Sequence, residues 1–165
     1  MFGLTYLGIF HTLISLVALG SGATVLFQEK RISFATFVGK IYIFTTIITC
    51  LTGFGIYQHG GFGVAHILGI VTLLVLGFAI YVEIGNQPFG AISAYIEAIA
   101  YSFTFFLHLI PGVNETLSRL PLDNPIATGP DDPKVKMAIG VCFVLFLNGV
   151  ILQVIMIKNK LKNKS

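Results

Sequence analysis

The sequence predicts an all-α membrane protein, a bundle of five transmembrane helices in a single domain over residues 1–165. Composition is the first observation: 55% of the residues are hydrophobic and 10% are charged, where an ordinary soluble domain carries about 25% charged residues. Mean hydropathy of +0.89 is the second. The third is the recurrence of apolar runs of about twenty residues, the length that crosses a bilayer core. Open β-structure leaves backbone groups unpaired in lipid, so unbroken apolar runs of this length read as helices.

The first helix is expected over about 4–27, stopped by Gln28-Glu29-Lys30-Arg31. No basic segment precedes it, so it reads as a membrane helix and not as a cleaved leader. The second is expected over 37–57, followed by a permissive turn at His59-Gly60-Gly61-Phe62-Gly63. The third covers 64–84 and closes on Gly85-Asn86-Gln87-Pro88, a Gly cap followed by Pro. The fourth covers 90–110 and is expected to stop at Pro111-Gly112. An outer loop, 111–132, then holds a short amphipathic turn from Glu115 to Leu120, capped by Asn114. Asp132-Pro133 makes an N-cap and first-turn pair for the fifth helix, 133–157. Cys50 and Cys142 each sit in an apolar run and read as buried thiols. Tyr6, Tyr42, Tyr57 and Tyr81 read as interfacial belts.

Lys and Arg favour the cytoplasmic ends of membrane helices. Five crossings with the N-terminus outside put Lys30, Arg31, Lys40, Lys158, Lys160, Lys162 and Lys164 inside and only Arg119, Lys134 and Lys136 outside. The expected topology is therefore N-out and C-in. The basic residues sit at helix ends and form no continuous face, so the net charge of +3 is a topology signal and not a nucleic-acid footprint.

This topology gathers the four histidines, His11, His59, His66 and His108, toward the outer side. Imidazole suits haem iron, copper and zinc, and histidines from separate helices converge readily inside a bundle. Two axial histidines from facing helices, drawn from His11, His66 and His108, are the expected ligands of a haem b; a transition metal (Cu or Zn) would use the same three with His59 as a further ligand. The absence of a CxxCH motif excludes covalent haem attachment.

Glu97, Tyr101, Thr104 and His108 recur at helical spacing on one face of the fourth helix. A carboxylate deep in a bilayer costs roughly 2.5–3.5 kcal/mol, so Glu97 is expected to face the bundle interior. Together with Tyr101 it is the candidate catalytic, proton-carrying pair. It lies roughly 16 Å below His108 along the axis.

His11, Gly39-Lys40-Ile41-Tyr42 and Ala65-His66-Ile67-Leu68-Gly69 resemble a group of small bacterial integral membrane proteins of unsettled function. The resemblance covers the first half of the chain. Members often carry a further histidine just ahead of the second helix, where this chain reads Phe34-Ala35-Thr36-Phe37-Val38. The resemblance implies a multi-pass protein of the bacterial inner membrane.

The leading expectation is thus a haem- or metal-binding bundle with a redox or metal-handling role. The alternatives are a proton-coupled transporter using Glu97, and a non-catalytic accessory or assembly subunit. The expected partners are the lipid bilayer and either a membrane-complex partner or a second copy of the chain.

Overall fold

The computed structural model describes residues 5–56, 61–85 and 87–163. His59, Tyr57 and Lys164 of the sequence reading lie outside the described residues. Every regular element described is helical: α1 (Tyr6–Glu29), α2 (Phe37–Gly53), α3 (Val64–Ile84), a 3₁₀ turn (Gly90–Ile92), α4 (Ser93–Arg119) and α5 (Pro133–Lys162). All but α2 are long and apolar enough to cross a membrane, and α2 is shorter at 17 residues.

Local chemistry sets most of the helix starts. Thr5 and Thr36 each turn a side-chain oxygen onto the backbone N–H three residues on, at Gly8 and Gly39, both at 3.1 Å. Asp132 Oδ1 accepts from the Lys134 N–H at 2.9 Å, and Pro133 fills the first helical position, as expected. At Gly63, which has no capping side chain, the ring of His66 substitutes: its Nδ1 accepts from the Gly63 N–H at 3.1 Å.

Two boundaries differ from expectation. The fourth helix does not stop at Pro111 but runs on to Arg119. A helical proline deletes one backbone hydrogen bond and crowds the preceding turn. Here the turns beyond it are tied by Thr116 Oγ1 donating to the Gly112 carbonyl and by a Glu115–Arg119 ion pair. Asn114 to Leu120 are therefore α4 and its cap, not a separate interfacial turn, and the loop is shortened at its start. The fifth helix extends to Lys162 because no Gly or Pro interrupts the basic tail, and Lys160 and Lys162 complement its C-terminal dipole.

α1 packs along α2, α2 against α3, α3 along α4, and α4 back against α1. α2 and α4 make no close backbone approach among the described residues, so they face each other across the diagonal of a four-helix bundle. α5 packs outside, on α4, with only Val135 and Gln153 buried. Lipid gives little hydrophobic drive between helices, so close packing has to hold them. At Gly22 an added Cβ would meet the Phe105 ring at 2.6 Å and the Tyr42 ring at 2.8 Å. This glycine lets α1 close on both diagonal helices.

Candidate functional site

The polar side chains fall on three levels of the bundle. The lower level is the end where α1 turns into α2. Its centre is Glu83, in the last turn of α3. Glu83 Oε1 accepts from the Ser33 hydroxyl at 2.5 Å and the Ala35 N–H at 3.2 Å. Oε2 accepts from the Phe34 N–H at 2.8 Å and the Tyr101 hydroxyl at 2.6 Å. One carboxylate thus fastens the α1–α2 turn to α3 and α4, and bonds to an ionised acceptor are the stronger kind.

Gln153 repeats the device from α5. Its Nε2 donates to the Lys30 carbonyl at 2.8 Å and its Oε1 accepts from the Ser102 hydroxyl at 3.0 Å. Neither residue was among the expected site residues. Each carried a weak signal, a single amide or acid inside an apolar run. Glu83 was hidden because an acid in the last turn of an apolar helix reads as its end.

Glu97 belongs to this same level. It sits in the second turn of α4, with Arg31 Nη1 at 3.7 Å from its Oε1, and not at mid-depth. The expected placement of Glu97 deep in the bilayer gives way to a place near a helix end, beside Arg31. Tyr101 also departs from the expected ladder. Its hydroxyl goes to Glu83 on α3 and not down its own helix to Glu97.

The second level lies on the bundle axis. The Tyr42 hydroxyl of α2 meets Thr104 Oγ1 of α4 at 2.8 Å, and both residues are fully buried. Tyr42 is therefore an axial group and not part of an interfacial belt. Thr104 Oγ1 donates onward to the Tyr101 carbonyl at 2.7 Å, so the Tyr42 hydroxyl is the donor in the diagonal bond.

α2 and α4 run in the same direction, because both start at the end that holds Arg31 and Glu83. The Tyr42–Thr104 pair sets their register. One turn further on, Thr46 and His108 come to the same level. Both are buried, and His108 Nε2 has no hydrogen-bond partner. An unpaired buried polar group costs about 1–3 kcal/mol. An unpaired imidazole nitrogen on this axis is the least structural feature of the molecule. Because α4 continues past Pro111, His108 lies inside the bundle and does not close its helix at the outer end, as expected from sequence.

The other two described histidines sit higher, around the far end. His11 of α1 makes a 3.0 Å contact from Nδ1 to Thr52 Oγ1. The Thr52 hydroxyl already donates to the Ile48 carbonyl at 2.8 Å, so the His11 Nδ1–H is the donor and Nε2 keeps its lone pair. His66 has the opposite arrangement. Nδ1 accepts at the α3 cap, which puts the proton on Nε2, and its ring stacks between Phe54 and Phe62.

The three expected ligands that are described lie on three helices: His11 on α1 beside Thr52, His66 at the start of α3, and His108 within α4. Among the described residues no three His, Cys, Asp or Glu side chains are grouped to hold a metal ion. Cys50 and Cys142 are free thiols.

The fold and its polar axis define an all-helical bundle of membrane type. Comparison with protein-family models, with curated proteins and with solved structures finds no match to this chain.

Proposed function

We propose that this is a multi-pass inner-membrane protein that moves protons along its bundle axis, in the manner of a proton-coupled transporter. The observation that carries the reading is the buried, unpartnered His108 Nε2, one turn beyond the Tyr42–Thr104 bond and level with Thr46. An imidazole can accept a proton at one ring nitrogen and release one from the other, which suits it to a relay. Without a partner for Nε2 it has no packing advantage over Leu or Phe. Polar groups continue from it in both directions. Below it stand Tyr42, Thr104 and Tyr101, and then the acids Glu83 and Glu97. Above it stand Thr49, Thr52 and His11. The acids are the inner terminus of the path and His11 is the outer one.

The topology proposed with it is five crossings, N-terminus outside and C-terminus cytoplasmic. Gln153 ties α5 to the turn that carries Lys30 and Arg31, so that turn and the basic end of α5 fall at one end of the bundle. That clustering supports the expected inside face.

The test is proton flux in liposomes loaded with a pH-sensitive dye. The wild-type protein is expected to speed collapse of an imposed pH gradient at least about tenfold over empty vesicles. His108→Gln, which removes the proton-exchanging group, and Tyr42→Phe, which removes the diagonal hydroxyl, are each expected to return the rate toward the empty-vesicle value. Wild-type vesicles no leakier than empty ones, across several candidate driving gradients, would overturn the reading.

A further inference from the structure

A cleft of ≈ 150 Å³ opens between the α1–α2 turn and the last turns of α5. It adjoins the fastened end of the bundle, where Arg31 faces Glu97 and Gln153 is bonded to Ser102. Three cations line it, Lys30, Arg31 and Lys160, against a single carboxylate, Glu29. Its other wall is aliphatic, from Met156 and Ile157. We propose that this cleft binds the phosphate headgroup of an anionic phospholipid, with the first part of an acyl chain along Met156 and Ile157.

The chemistry of the walls argues for a lipid over a soluble anion. A free phosphate has no use for two aliphatic side chains, whereas a phospholipid presents an anion and a methylene chain side by side. The position argues the same way. The cleft lies where α1 ends and where α5 passes from its apolar run into Lys158-Asn159-Lys160, the depth at which headgroups meet helix ends. Basic pockets between membrane helices bind such headgroups, and each cation near the surface contributes about fivefold to the association.

The cations remain available for this. Arg31 meets Glu97 through Nη1 at 3.7 Å, and a guanidinium has further N–H donors. Lys30 Nζ donates to the Phe27 carbonyl at 2.6 Å, at the end of α1, which holds its charge at the mouth of the cleft. That contact and the Gln153 bond to the Lys30 carbonyl cover carbonyls that would otherwise repel an anion.

The test is native mass spectrometry of the full-length protein in mild detergent, exchanged against phosphatidylglycerol or phosphatidylcholine. Phosphatidylglycerol is expected to stay bound in preference. The Lys30→Gln/Lys160→Gln double variant should lose about twenty-fivefold of that retention, and Lys160→Gln alone about fivefold. Lys158→Gln removes the same charge from the same helix outside the cleft and should change it little. Lys160 is exposed at the end of α5, so the single variant keeps the test open if the double variant unfolds. Equal retention of the two lipids would overturn the proposal, as would an equal loss in Lys158→Gln. Displacement of the bound lipid by inorganic phosphate alone would reassign the cleft to a free anion.

Discussion

The two ends of the polar core are built on opposite rules. At the α1–α2 end, Glu83 takes four donors, Gln153 uses both of its amide atoms, and Glu97 faces Arg31. On the axis, His108 brings a buried imidazole nitrogen and leaves it unpaired. A membrane interior penalises both choices, but only the first returns stability for the cost. The difference separates the residues that hold the bundle together from those free to do chemistry. The richest polar cluster is a fastening, and the sparse, unsatisfied one is the candidate for chemistry.

The largest expected effect breaks the fastened end through its backbone. In the first turn of α2, a Cβ at Gly39 would fall 1.9 Å from the Ser33 carbonyl oxygen. The turn that presents Ser33, Phe34 and Ala35 to Glu83 cannot then keep its shape. Gly39→Ala is expected to cost about 3 kcal/mol, read as a lowered unfolding midpoint in detergent. Glu83→Gln comes next. It turns charge-assisted bonds into neutral ones and replaces an acceptor oxygen with a donor facing other donors, at about 2 kcal/mol by the same measurement. Tyr101→Phe removes one of those bonds and should cost about 1 kcal/mol.

The smallest effect lies outside both regions. The Thr128 and Lys134 backbone N–H groups hold the Asp132 carboxyl below its usual range of about 3.8. Its contribution to the start of α5 is present above that value and is lost as the pH falls through the lower, folded-state one. Limited proteolysis of the 120–132 loop should accelerate at such acid pH in the wild type, and Asp132→Asn should show the faster cleavage already at neutral pH.

Much of this architecture was legible in the chain. Apolar length gave the helices, and the 64–84 bounds of the third match α3 residue for residue. Asp132-Pro133 marked the start of α5 because capping is local chemistry. Pro111 misled because a proline stops a helix only when the next turns have nothing to hold them, and here Gly112, Thr116, Glu115 and Arg119 do. That one boundary moved His108 from a helix end into the core. The polar face of α4 was visible in the spacing of Glu97, Tyr101, Thr104 and His108. Its partners were not, because Tyr42 and Glu83 reach it only once α2 stands on the diagonal and α3 alongside. The capping role of His66 was readable in principle from its place three residues after a glycine that begins a helix.

The claim that fastening and chemistry are separated is tested most directly in one variant, His108→Phe, by measuring unfolding midpoint and proton flux on the same preparation. The account predicts stability within about 1 kcal/mol of wild type, or higher, because no hydrogen bond of Nε2 is lost and an apolar ring replaces a polar one. It predicts that flux falls to the empty-vesicle rate. A variant as unstable as Glu83→Gln that still conducts protons would contradict it.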